Sequence, residues 1–252
     1  MHIKFFGAAG EVTGSRHYLE GEIKGKKFCF MIDYGMFQGG RDADEKNLEA
    51  LPFNTADLDF VILTHAHIDH SGLLPRLCAE GFKGTIYCTK ATQALLKILL
   101  LDSAHIQESD FERAERKQKL GKWHGDLPQV LYSVKQANEC LSQLKAYDYG
   151  QVFEPIDGIQ AHFRNAGHIL GSAIAVIDIE QEGKKKRVVA SGPEWFCPGT
   201  HIPATGSSAL PVLARSGVSG WSNFGFGGGS ANPLPVELTS FTAECGNATD
   251  LK

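Results

Sequence analysis

The chain has 252 residues, a formal net charge of −4, 42% hydrophobic and 21% charged residues, which suffices for one large domain or two small ones around a buried core. No apolar run approaches the roughly 20 residues of a membrane span, and the opening Met1-His2-Ile3-Lys4-Phe5-Phe6-Gly7 reads as a chain without a signal peptide. Six scattered cysteines predict reduced, mostly buried thiols in a cytoplasmic protein, and the mild acidity argues against an overall basic nucleic-acid footprint while leaving room for a local groove.

Residues 3–6, 16–23 and 27–32 read as strands, the last two joined by a hairpin turn at Lys24-Gly25-Lys26. Residues 59–63 form a short apolar run of strand length, expected to be buried on both faces. The run leads directly into Thr64-His65-Ala66-His67-Ile68-Asp69-His70-Ser71-Gly72. Residues 73–80 are predicted helical, 85–88 a strand, 92–101 an amphipathic helix and 104–119 an exposed, charged helix. A shorter helix is predicted over 135–144, and strands resume at 159–164, 173–180 and 187–190. Early hairpins, a helix-rich middle and late strands predict an α/β fold of two packed sheets with helices outside.

Composition breaks at Gly192. The last 61 residues hold only six charged side chains, and charge density falls from about 25% to about 10%. Six of the ten prolines lie there, and 28 of the 61 residues are Gly, Pro, Ser or Thr. No sustained period appears, and Gly225-Phe226-Gly227-Gly228-Gly229-Ser230 reads as coil. Residues 1–191 are therefore expected as one domain. Residues 192–252 are expected as an irregular tail, disordered, loosely docked or foreign to the fold before it.

Three histidines fall within six residues as His65-x-His67-x-Asp69-His70. Neutral imidazole is the commonest ligand for zinc-like ions, and carboxylate oxygen is the next. In an extended turn leaving a strand, His65 and His67 project to one side and can share an ion, while Asp69 and His70 face a neighbouring position. Two ions about 3.5–4 Å apart would polarise a substrate oxygen and supply hydroxide at neutral pH. Far along the chain, His168 lies between Gly167 and Gly171, where a backbone can pass close to a metal. Beside the first cluster it becomes the natural third ligand.

The segment Thr64–Gly72 resembles the signature of the metallo-β-lactamase superfamily. Phe6-Gly7-Ala8-Ala9-Gly10-Glu11-Val12-Thr13-Gly14-Ser15 resembles the opening strand and loop of its β-CASP branch of RNA-processing nucleases. Ile32-Asp33-Tyr34-Gly35-Met36-Phe37-Gln38-Gly39 resembles that branch's acidic motif, and Asp102-Ser103-Ala104-His105-Ile106-Gln107-Glu108 its helical segment. Ala166-Gly167-His168-Ile169-Leu170-Gly171-Ser172-Ala173 is similar to its third metal motif. The resemblance runs continuously over residues 1–191. It implies an αβ/βα sandwich with metals at one edge and zinc ions as cofactor, two in the family. His65, His67 and His168 would hold the first ion, and Asp69 and His70 the second. Asp33 would orient a ligand histidine, although an Asp ending a strand before Gly35 also suits a plain turn. Asp69 and Asp33 are then the catalytic carboxylates, and the implied reaction is cleavage of RNA phosphodiesters by metal-bound hydroxide.

Family members follow the third motif with Ser-Gly-Asp, whose carboxylate bridges both metals, whereas Ser191-Gly192 is followed by Pro193. The inserted clamp domain and a late ligand histidine are also missing from the pattern; His201 lies in a Pro-flanked segment without strand context. The fold is thus expected to be incomplete, its second sheet left with an unpaired edge, and at most one ion per chain is expected to bind tightly. A frame shift near codon 192 would explain the coincidence of both breaks. A general hydrolase of small esters or thioesters and a catalytically defective chain are the alternative readings. Arg113, Arg116, Lys117, Lys119 and Lys122 are interleaved with acids and read as a solvated helix face, and Lys184-Lys185-Lys186-Arg187 reads as a charged hairpin tip. The loop from Gly7 to Gly14 lacks the Gly-Lys-Ser/Thr ending of a phosphate loop.

Overall fold

Strict alternation within the central strands decides which face each side chain takes. Phe30, Ile32, Phe60, Ile62 and Tyr87 join one apolar cluster, while Met31, Val61, Leu63, Ile86 and Cys88 join another. A sheet whose strands are apolar at both phases must be covered on both sides. In the computed structural model, which describes residues 1–39, 41–181, 183–191, 213–215 and 243–245, one face packs on a second sheet and the other on helices. Pro193 and His201 lie outside the described residues.

β1 (His2–Gly7), β2 (Arg16–Ile23) and β3 (Lys26–Ile32) form an antiparallel meander. The β2–β3 turn places Lys24 and Gly25 at φ 52° and 79°, as a two-residue hairpin requires. β4 (Phe60–Ile62), β5 (Thr85–Thr89) and β6 (Leu144–Tyr147) add in parallel. The second sheet is the antiparallel set β7 (Phe153–Ile156), β8 (Ile159–Asn165), β9 (Ala173–Gln181) and β10 (Lys184–Ser191). Its inward side chains Ile159, Ala161, Phe163, Ala175, Ile177 and Ile179 close the core between the sheets.

The helices are α1 (Arg41–Leu48), α2 (Ile68–Ser71), α3 (Leu74–Ala79), α4 (Lys90–Lys119) and α5 (Val134–Leu141). Leu74 and Leu77 of α3, Leu96, Leu100 and Ala104 of α4, and Ala137 and Cys140 of α5 build the core outside the first sheet. The two helices expected over 92–101 and 104–119 are one. Leu96, Leu100 and Ala104 lie four residues apart on a single buried stripe, and nothing between Leu101 and Ala104 breaks the ladder. Its polar end carries the expected local ion pairs, Arg113–Asp110 at 3.7 Å and Lys119–Glu115 at 2.9 Å. The hairpin-tip lysines begin β10, where Lys185 pairs with Asp178 at 3.0 Å.

Within the segment beyond Gly192, two three-residue strands occur that no periodicity announces. β11 (Leu213–Arg215) runs parallel to β10, and β12 (Ala243–Cys245) runs parallel to β1. Pairing with β11 covers Val189–Ser191 of β10, so that stretch of the second sheet's edge is not open; three residues are too few for a period. Cys29, Cys78, Cys88 and Cys140 are free thiols, and all but Cys29 are buried.

Candidate metal centre

The carboxyl ends of parallel strands gather loops from separate parts of the chain, and here they gather the histidines. Asp33 follows β3, Thr64 and His65 follow β4, and His67 precedes α2, which carries Asp69 and His70. Asp69 and His70 thus stand on a short helix. His168 arrives in the β8–β9 connection. That connection is tied down at Ala173, whose N–H donates to the Thr64 carbonyl (2.8 Å), and at Gly171, whose carbonyl accepts the Thr89 and Thr92 hydroxyls at 2.7 and 2.9 Å. A side chain at Gly171 would strike the Thr92 backbone, so only glycine permits this approach.

Three ring nitrogens converge. His67 Nδ1 stands 3.1 Å from His65 Nε2 and 3.1 Å from His168 Nε2, and all three ligand atoms lie within 4.8 Å of one another. Imidazole nitrogens on one tetrahedral zinc stand about 3.3 Å apart, given Zn–N of about 2.0–2.1 Å. The donor set therefore fits a divalent ion. Burial, reinforced by the neighbouring imidazoles, holds His65 far below the usual histidine range, and burial also lowers His67 and His168. All three are thus kept neutral, the form that ligates a metal.

One carboxylate organises the rings. Asp33, 1% exposed, accepts the Thr64 N–H on Oδ1 at 2.7 Å, and on Oδ2 the Thr64 hydroxyl at 2.8 Å and His70 Nδ1–H at 2.7 Å. The Thr64 hydroxyl in turn accepts His65 Nδ1–H at 3.0 Å. With both Nδ1 atoms occupied, His65 and His70 present Nε2, and His70 Nε2 faces Asp69 Oδ2 at 3.6 Å. Asp33 sits at φ 59°, a left-handed conformation in which Asp and Asn are the best tolerated non-glycine residues. The segment after it is pressed against α2: Tyr34 N–H donates to the His70 carbonyl and Met36 N–H to the Ile68 carbonyl, at 2.8 and 2.9 Å. Gly35 lies so close to the Asp69 carbonyl that a Cβ would collide with it.

All five predicted ligand positions, His65, His67, Asp69, His70 and His168, fall at this edge with Asp33 behind them. Thr64, Ser15 and Arg16 belong to the same assembly, although the sequence assigns none of them a role of its own. Thr64 has a local signal, a hydroxyl beside the first histidine at a strand end. Arg16 is buried against Tyr34 and Phe37, donating Nε–H to the Gly35 carbonyl at 3.0 Å and reaching Asn47 Oδ1 at 3.4 Å. Residues 102–108 brace a connection instead. Gln107 accepts the Leu131 N–H (2.8 Å), Glu108 the Val134 N–H (3.1 Å), and Ser103 the Tyr132 hydroxyl (3.0 Å). Among the described residues no helix is long and apolar enough to cross a membrane.

Comparison with known proteins places this geometry. The family model described as Metallo-beta-lactamase superfamily matches residues 21–192. The chain is 34% identical over 192 residues to a protein named ribonuclease TTHA0252 of Thermus thermophilus, covering 76% of this chain and 37% of that one. It is 32% identical over 179 residues to the transcription termination factor FttA of Methanocaldococcus jannaschii, covering 71% of this chain and 25% of the other. The chain thus spans about a third and a quarter of the length of these curated relatives. Among solved structures, a subclass B3 metallo-beta-lactamase from a soil metagenome library aligns with TM-score 0.40 and 17% identity, over 77% of this chain and 63% of that chain. The chain belongs to the metallo-beta-lactamase superfamily.

Proposed function

We propose that residues 1–191 are the amino-terminal, metal-holding portion of a β-CASP-type hydrolase that cleaves RNA phosphodiesters in the cytoplasm with zinc as its ion. The observation that carries this reading is the convergence of His65 Nε2, His67 Nδ1 and His168 Nε2 in a chain so similar to a protein named ribonuclease. A zinc ion held there would supply Lewis acidity toward a phosphoryl oxygen and would lower the pKa of water toward neutrality. His65, His67 and His168 would hold it as neutral imidazoles. Asp33 orients His70 directly and His65 through Thr64. Asp69, the more exposed carboxylate of the site, offers Oδ2 beside His70 Nε2 either to a second, weaker ion or to a proton released during hydrolysis.

The full chain, loaded with zinc and incubated with end-labelled single-stranded RNA, tests the proposal. Cleavage that disappears in His67→Ala, together with loss of bound zinc, is the expected result. Cleavage that survives in His67→Ala would show that another protein or site is responsible. Turnover of a lactone or thioester with no RNA cleavage would favour a small-ester hydrolase instead.

A further inference from the structure

Ser15 is the junction between β2 and the candidate second ion position. Its N–H donates to the Asp69 carbonyl at 2.8 Å, and its carbonyl accepts the Gly35 N–H at 2.9 Å. Its Oγ stands 3.4 Å from Asp33 Oδ2 and 3.2 Å from His17 Nε2. His17 and Ser15 are 2% and 1% exposed, and His17 packs edge-on against Phe5 at 5.2 Å. His17 Nδ1 meets no hydrogen-bond partner among the described residues.

The hydroxyl of Ser15 has one proton, so the His17 tautomer decides where that proton goes. If Nδ1 carries the ring proton, Nε2 must accept from Ser15. Asp33 then loses that donor, and a buried N–H is left unpaired. If Nε2 carries it, His17 donates to Ser15 and Ser15 donates to Asp33. Two bonds form, and only a ring lone pair goes unmet, which is the cheaper arrangement in a buried network. Desolvation pushes His17 down to about 4, so the neutral tautomers are the forms that matter near pH 7.

We infer that His17 is a positioning residue for the Asp69–His70 pair: as the Nε2–H tautomer it commits the Ser15 hydroxyl to Asp33 and, through Ser15, steadies both the Asp33–His70 contact and the Asp69 backbone. The inference rests on the reading of Asp69 and His70 as a second ion position. It gives a function to a buried histidine that otherwise sits in the core with one nitrogen unpaired.

Long-range proton–nitrogen NMR of the full, metal-free chain at pH 7 tests this without any turnover. His17 is expected as Nε2–H and His70 as Nδ1–H. His17→Phe keeps a ring against Phe5 and removes the donor, whereas His17→Gln keeps an N–H near the Nε2 position. The His70 Nδ1 proton should exchange with water about fivefold faster in His17→Phe, the worth of about one hydrogen bond, and close to the native rate in His17→Gln. Cobalt binding at His65, His67 and His168 should persist in both and reports an intact fold. A His17 Nδ1–H tautomer in the native protein overturns the inference whether or not the variants fold, and so does equal exchange in the two variants. Failure of RNA cleavage would bear on the catalytic reading alone.

Discussion

Oδ2 of Asp33 lies 2.7 Å from Nδ1 of His70 across 37 residues of sequence, and the same oxygen takes the Thr64 hydroxyl that holds His65. A single buried carboxylate therefore sets the tautomer of one histidine from each proposed ion position. Outer carboxylates of this kind fix the orientation of ligand rings and raise their basicity.

Asp33→Asn separates charge from shape. Asparagine tolerates the φ of 59° at this position, so the backbone should hold. The amide has only one acceptor oxygen for the donors that now share two, and its NH2 faces another donor. Zinc affinity and RNA cleavage are each expected to fall by about 10–100-fold, with little change in the circular dichroism spectrum. A variant that binds zinc as the native chain does would remove Asp33 from the site.

Stoichiometry distinguishes the two ion positions. Three imidazole nitrogens converge at the first, whereas the described residues supply only Asp69 and His70 to the second. Elemental analysis after gel filtration in metal-free buffer should give at most one zinc per chain. His168→Ala should abolish even that one, and two retained ions per chain would contradict the assignment.

Acid should destabilise the metal-free protein through its neutral histidines. The folded pKa of His17, about 4, lies below its unfolded value near 6.5. As pH falls from 6.5 toward 4, the unfolded chain takes up a proton that the folded chain refuses. Stability is therefore present above 6.5 and is lost on acidification, by about 1.4 kcal/mol per pH unit for a fully buried group. Urea unfolding should show a loss of about 2 kcal/mol from this residue between pH 7 and pH 5, with His65, His67 and His168 adding in the same direction. His17→Phe should flatten the dependence; an unchanged slope in that variant would assign the effect elsewhere.

Much of this centre is legible in the chain because it is local. His65, His67, Asp69 and His70 lie within six residues of each other and follow an apolar strand, so spacing alone groups them. His168 is legible only through its flanking glycines and the company of the others. The roles of Ser15, His17 and Arg16 depend on where β2 lies beside β3 and α2, and no period encodes that. α1 escapes notice for a related reason: its residues are polar, and it docks through Asn47, which bonds both the N–H and the carbonyl of Phe37 at 2.8 Å rather than burying a stripe. Residues 101–104 look like a break between two helices because polar side chains interrupt the pattern there. The buried face beneath them continues.

Thr64 is the least conspicuous member of the site and gives the cleanest test of the relay. Its hydroxyl accepts from His65 Nδ1–H at 3.0 Å and donates to Asp33 Oδ2 at 2.8 Å. Thr64→Val keeps the shape and the β-branched strand end but leaves His65 Nδ1–H unpaired in a buried setting, at a cost of about 1–3 kcal/mol. The His65 ring is then freed to take the other tautomer, which would aim a protonated Nε2 at the ion. Affinity for the first zinc is expected to fall about tenfold or more. Thr64→Ser, which restores the hydroxyl without the methyl, should recover most of it. If both variants lose affinity equally, the methyl group is needed at this position as much as the hydroxyl. If neither does, His65 needs no outer partner and the Asp33 relay serves His70 alone.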